Sequence, residues 1–137
     1  MCKEDCLILF FFFVSCISSS NSQNIAYGKK YTFSEKPNYS LTHGSDDLDL
    51  TDGKKKTGVG FWTDKTTVGW NNKQEIRIDL DLGDTYSISG FLINTARGQS
   101  ADVEFPLSCL VFTSMDNNLF EYNGDLMFSG DNSSGKH

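Results

Sequence analysis

Residues 74–82, Gln-Glu-Ile-Arg-Ile-Asp-Leu-Asp-Leu, alternate polar and apolar side chains without a break from Glu75 to Leu82. A repeat of two is that of a β-strand, whose successive side chains point to opposite faces; a helix would scatter the same residues around its circumference. Ile76, Ile78, Leu80 and Leu82 are therefore expected on a core face, with Glu75, Arg77, Asp79 and Asp81 in water. Gly83-Asp84 supplies the turn that ends the strand. Further short strands are expected at 27–33, 87–95 and 107–114, with a return strand starting at 119–122 after the turn Met115-Asp116-Asn117-Asn118. No stretch after Asn24 sustains a helical period. Residues 37–60 are polar and rich in Asp and Gly, which reads as long loops, and loops of that length in a compact domain carry function or are fixed by a metal. The expectation is an all-β sandwich of one domain.

The amino terminus reads differently. Residues 7–17 (LILFFFFVSCI) form an apolar run, too short to span a membrane and of the length of a signal-peptide core, followed by the small residues Ser18-Ser19-Ser20-Asn21-Ser22. Residues 1–22 are expected to be a signal peptide or lipoprotein leader, although Glu4 and Asp5 offset Lys3 where a leader is normally basic; a buried strand is the alternative. Phe13-Val14-Ser15-Cys16 is similar to a lipobox, so Cys16 is the candidate lipid anchor and the only expected link to a membrane. The chain is thus placed outside the cell or on its surface.

With a formal charge of −6 and no basic stripe beyond Lys54-Lys55-Lys56, a nucleic-acid partner is not expected. Three of the four cysteines, Cys2, Cys6 and Cys16, lie in the leader, which leaves Cys109 as a small buried hydrophobe without a disulfide partner. Cysteine catalysis would need a base, and His43 and the last residue, His137, are the two histidines. Asp79 and Asp81 point outward together on a solvated face, which lacks the cleft that acid–base work requires. No enzyme activity is expected of the domain itself.

Several short motifs then occur in order. Asn24-Ile25-Ala26, Gly28-Lys29 and Thr32-Phe33-Ser34 resemble the opening strand of coagulation factor 5/8 type C (discoidin) domains. Leu50-Thr51-Asp52-Gly53 resembles the Asp-Gly loop before that family's core tryptophan, here Phe61-Trp62. Ile78-Asp79-Leu80-Asp81-Leu82-Gly83 is similar to its hydrophobic–Asp–Leu–Gly strand end. Residues 106–114 with Asp116, Phe120 and Gly124 resemble its "strand, Ser-x-Asp-Gly, aromatic" hairpin, with Asn117 where Gly is usual. The wording Thr51-Asp52-Gly53, Phe61-Trp62, Val68-Gly69-Trp70 and Asn94-Thr95-Ala96 looks most like the modules attached to bacterial polysaccharide-degrading enzymes. The family's two closing strands, an aromatic–Val–Arg strand and a Glu-containing one, do not appear before His137.

The resemblance implies a discoidin-like (galactose-binding-like) jelly-roll β-sandwich over residues 24–130, missing its closing strands, with a disordered tail at 131–137. It implies a non-catalytic carbohydrate-binding module, an amino-terminal piece of an exported glycoside hydrolase or polysaccharide lyase, whose partner is a glycan or polysaccharide. The alternative within the same fold is an adhesion domain for protein or phospholipid. It also implies a structural Ca²⁺ held at the Asp-Gly loop, with Asp52 as side-chain ligand and Thr57 second; the plainer role of Asp52-Gly53 is a tight turn. A sugar site needs an aromatic ring to stack on a pyranose and polar groups to read its hydroxyls. Trp70, outside any alternating run, is the candidate platform, with Arg97, His43 and Asp46 as polar partners. The plainer roles are core packing for Trp70 and solvation for the other three.

Overall fold

The computed structural model describes residues 7–10, 12–13, 23–55, 60–98 and 101–129. The expected alternation of residues 75–82 is realised: Ile76, Ile78 and Leu80 pack against the core, while Glu75, Arg77 and Asp81 are exposed. The strands are β1 (Leu7–Phe10), β2 (Phe12–Phe13), β3 (Tyr31–Phe33), β4 (Val68–Asn71), β5 (Ile78–Leu80), β6 (Leu92–Ile93), β7 (Leu110–Thr113) and β8 (Glu121–Asp125). A 3-10 turn at Phe61–Thr63 and one helical turn, α1 (Leu126–Ser129), are the helical elements among the described residues. Four antiparallel pairs form, β1–β4, β2–β6, β3–β5 and β7–β8. This is a strand-built chain with little helix, compatible with the all-β class.

In the β3–β5 pair Tyr31 lies opposite Leu80, Thr32 opposite Asp79 and Phe33 opposite Ile78. Ser34 N donating to Arg77 O (2.9 Å) and Asp81 N donating to Lys30 O (3.0 Å) continue the pairing at both ends. The main core gathers Tyr31, Leu50, Val68, Trp70, Ile93, Cys109 and Met127, with Phe33 and Phe105 packed on it. Phe33 sits edge-on between Tyr31 (5.3 Å between ring centroids) and Trp70 (5.1 Å), the geometry the ring quadrupoles favour. Burial pushes the Cys109 thiol up to about 11, helped by the carboxylate of Asp125, so it stays protonated and acts as the small apolar residue expected.

The strands are shorter than the sequence suggests. Of 27–33 only Tyr31–Phe33 is laddered, because Asn24 captures the preceding segment: its Oδ1 accepts from Ala26 N (3.0 Å), its carbonyl accepts from Tyr27 N (3.4 Å), and Gly28 then turns at φ 68°. Of 87–95 only Leu92–Ile93 pairs. The hairpin turn at 115–118 forms, organised by Asp116, whose Oδ1 accepts from Leu119 N, Asn118 N and Ser114 Oγ. Those bonds favour the ionised form and hold the carboxyl below its ordinary range. Several aromatic side chains face solvent: Tyr27, Phe112, Phe120, Tyr122 and Phe128 are exposed. Six residues of the apolar run, those of β1 and β2, are strands of the fold. Cys16, Thr57 and the tail 131–137 lie outside the described residues.

Trp70 is wholly buried and its indole Nε1 donates to Glu35 O at 2.8 Å. Trp70→Ala is expected to lower unfolding free energy by about 3–5 kcal/mol, whereas exposed Arg97→Ala changes it by less than about 0.5 kcal/mol; urea denaturation of the two variants checks both.

Candidate functional site

The expectation that Trp70 offers an exposed platform is corrected by its position. Val68-Gly69-Trp70-Asn71 reads as polar loop because Gly and Asn flank the ring, but it is β4, with Val68, Gly69 and Trp70 all buried. In this fold the ring has no free face to lay against a sugar.

Trp62, by contrast, keeps part of its surface in solvent. It follows Phe61 in the 3-10 turn entered through Gly60 at φ 88°; Phe61 is buried, and Trp62 is half-buried. Its ring lies against Gly98 so closely that any Cβ there would collide with it. Glycine at 98 thus sets how near the two segments approach. A Gly98–Val103 bridge closes the 98–103 loop, and buried Val103 is covered by Trp62, Tyr39 and Ala101. Sequence reasoning assigned Phe61-Trp62 to the core as a unit. The missed signal is that neighbouring side chains in a 3-10 turn point about 120° apart, so both rings cannot enter one core.

The loop holding Tyr39 also carries the predicted polar pair. His43 Nδ1 lies 2.7 Å from Asp46 Oδ2, with the imidazole exposed and the carboxylate mostly shielded. Lys65, three residues past Trp62, fastens this loop: its Nζ donates to His43 O (3.0 Å) and Ser40 O (3.4 Å), and a Cβ at Gly44 would meet Lys65 O at 2.5 Å. His43, Asp46, Tyr39, Lys65, Trp62 and Gly98 therefore belong to three mutually packed loops. Arg97 adjoins Gly98 in sequence, but its guanidinium carbon lies 5.7 Å from the Phe105 ring centroid, a cation–π contact on an exposed side chain.

A second cluster is acidic. Asp52 Oδ1 accepts from Lys54 N (2.8 Å) and its Oδ2 pairs with Lys54 Nζ (3.2 Å), while Gly53 turns at φ 73° beneath the Tyr27 ring. Asp52-Gly53 is thus a tight turn whose carboxylate pairs with the exposed Lys54. Two carboxylates here hold a buried oxygen with no hydrogen-bond partner among the described residues, Asp46 Oδ1 and Asp49 Oδ2, and Asp49 is itself buried at 7% exposure. Burial, with the charges of Asp52 and Asp46 behind it, pushes its carboxyl from 3.8 up to about 6, and Lys54 only partly opposes this. A buried acidic oxygen without a donor fits a hard cation, so the donor chemistry favours Asp49 over Asp52 as the residue a Ca²⁺ would need. Among the described residues no group of three His, Cys, Asp or Glu is arranged to hold a metal.

Compared with known proteins, the chain matches no family model, no curated protein and no solved structure.

Asp49 makes stability pH-dependent. Because its folded value lies above the unfolded one, its favourable protonated contribution is complete below pH 3.8 and is lost as pH rises through about 6. Asp49→Asn is expected to stabilise the protein by about 1 kcal/mol at pH 7.5, a discount from the full shift for partial solvent screening. The advantage should vanish near pH 3.5, as thermal melts of both proteins across that window would register.

Proposed function

We propose that the chain is an exported, non-catalytic carbohydrate-binding module with a discoidin-like jelly-roll fold. The observation that carries this reading is Trp62: a partly exposed tryptophan whose ring is braced against Gly98, three residues before the Lys65 that ties the segment of the exposed, Asp46-paired His43. The indole supplies the apolar face on which a pyranose ring stacks. His43 offers its remaining ring nitrogen to sugar hydroxyls, and Asp46 holds the imidazole in place. The reading replaces Trp70 by Trp62 as platform, keeps His43 and Asp46, and leaves Arg97 at the edge. Binding by so small a site is weak, roughly millimolar to micromolar, about −4 to −8 kcal/mol. A Ca²⁺ bound at Asp49 would neutralise its buried charge and stiffen residues 45–54.

A second reading is supported by the β7–β8 hairpin, where Met115 (87% exposed) and Leu119 (79% exposed) stand at the tip. Such apolar spikes suit an adhesion domain that docks on protein or phospholipid. Asp116 and Glu121 beside them argue against an anionic lipid surface.

A glycan array followed by calorimetric titration separates the readings. The sugar reading expects a hit whose affinity falls at least tenfold in Trp62→Ala and severalfold in His43→Ala, with melting temperatures near wild type. An array without a hit, together with liposome binding lost in Leu119→Asp, moves the function to the hairpin. Calcium is expected to raise the melting temperature of the wild type by several degrees and that of Asp49→Asn by much less.

A further inference from the structure

The β7–β8 hairpin carries its large apolar side chains on the side away from the core. Phe112 lies opposite Tyr122 in register, and Thr113 opposite Glu121. By the repeat of two, Leu110 and Phe112 share a face with Tyr122 and Phe120, while Val111 and Thr113 turn to the other. Val111 and Thr113 are half-buried, whereas the first four are 51–56% exposed. The Phe112 and Tyr122 rings meet at 5.5 Å between centroids, so the face is one surface. Apolar residues continue past both ends: Met115 and Leu119 at the tip, and Leu107 and Phe128 flanking the root, are 79–96% exposed.

The area is that of an interface. A whole aromatic side chain offers about 150–250 Å², so the face and its tip, at these exposures, present roughly 700 Å². The largest apolar patch of a monomer is typically about 300–600 Å², and each side of a standard interface buries about 800 Å². Phe, Tyr and Met are also the side chains enriched at interface cores. One carboxylate falls in register with the face, that of Asp125 opposite Leu110, and its Oδ1 is held by Cys109 N (2.8 Å) and Met127 N (3.0 Å). Glu121 turns with Thr113 to the other side. A charge-selected partner would find no handle here. Copies of a chain with formal charge −6 repel one another, and this face is where they can approach without setting like charges together.

We propose that the outer face of the β7–β8 hairpin joins two copies of the chain in an isologous dimer. The two-fold axis lies in the plane of the face and across the strands, level with Phe112 and Tyr122. Each Phe112 then meets its own copy, and the apolar tip of one hairpin covers the apolar root of the other. This order also separates the two Asp125 carboxylates by four strand positions, about 13 Å, more than the screening length of about 10 Å at moderate salt. The dimer is independent of sugar binding, because Trp62, His43 and Asp46 lie outside the hairpin.

Sedimentation equilibrium of the full chain, from micromolar to submillimolar concentration, tests this. Expected is a single monomer–dimer equilibrium, with Phe112→Lys and Phe112→Asp each raising its dissociation constant at least tenfold. Mixing the two variants should restore a one-to-one dimer that weakens with added salt, since like charges meet in each homodimer and opposite charges in the mixture. Thermal melts of dilute samples check that each variant folds; where one does not, Tyr122→Lys and Tyr122→Asp supply the same pair. A wild type that stays monomeric, assembly that does not stop at two, dimerisation unchanged by both variants, or a mixture that stays apart would each overturn the proposal. Binding of monomeric wild type to phosphatidylcholine vesicles, lost in Phe112→Asp, would give the face to lipid instead. A dimer that binds no glycan would fault the sugar reading alone.

Discussion

The hydroxyl of Tyr31 joins the core to the loops. Its ring is buried beside Phe33 in β3, and its oxygen donates to Asp46 O at 2.6 Å while accepting from Leu50 N at 3.2 Å. A buried phenol must satisfy its oxygen, and here both roles fall on one irregular segment. The loop thereby acquires a fixed position without secondary structure of its own. Burial, reinforced by nearby acidic charges, raises the phenol well above its ordinary range, so it stays protonated and keeps its donor. Thr51 Oγ1 donating to Lys29 O (2.9 Å) and Gly28 N donating to Thr51 O (2.8 Å) fasten the same segment to the entry of β3. Asp46 is held by its carbonyl from beneath, leaving its carboxylate to orient His43.

Three glycines then govern how closely the neighbouring loops pack. Gly44 admits the Lys65 carbonyl, Gly69 admits Thr42 and the Tyr39 side chain, and Gly98 admits the Trp62 ring. Each contact leaves no room for a Cβ, so the candidate site is assembled by backbone approach rather than by a sheet. Trp62 is partly open, its ring resting on the Gly98 backbone and packing against Val103, Phe61 and Ala96.

What was legible in the sequence was the periodic part. The alternation from Glu75 to Leu82, the Cys109 run and the Asp116 turn each carry their own local cause, a repeat of two or a side chain that bonds its own backbone; the turn forms, while of the two runs only Ile78–Leu80 and Leu110–Thr113 are laddered. Trp70 was illegible because β4 is buried on both faces and built with Gly and Asn; Asn38 supplies the edge bonds that make Asn71 acceptable there, and that partner lies 33 residues away. The His43–Asp46 pair, three residues apart, was within reach of local reasoning, whereas the Trp62–Gly98 approach depends on tertiary contact between distant loops. The Asp-Gly turn hid the more consequential carboxylate, Asp49, since burial and an absent donor leave no mark in a linear pattern.

The β7–β8 hairpin shows how a strand can obey a repeat of two and still turn its larger residues outward. Leu110 and Phe112 are exposed while Val111 and Thr113 between them are half-buried, and Phe112 packs on Tyr122 at 5.5 Å across the pair. A lone two-stranded hairpin is marginal in water, so its root must be fixed elsewhere. Asp125 does this: its Oδ1 accepts from Cys109 N (2.8 Å) and Met127 N (3.0 Å), while Leu126 N donates to Cys109 O (3.0 Å), tying both strand ends to the buried Cys109 and Met127. The root is thus clamped at the core and the apolar tip projects from it. Leu119 and Met115 therefore stand in water at the tip, as Leu107 and Phe128 do elsewhere on the surface, whereas Trp70 is buried.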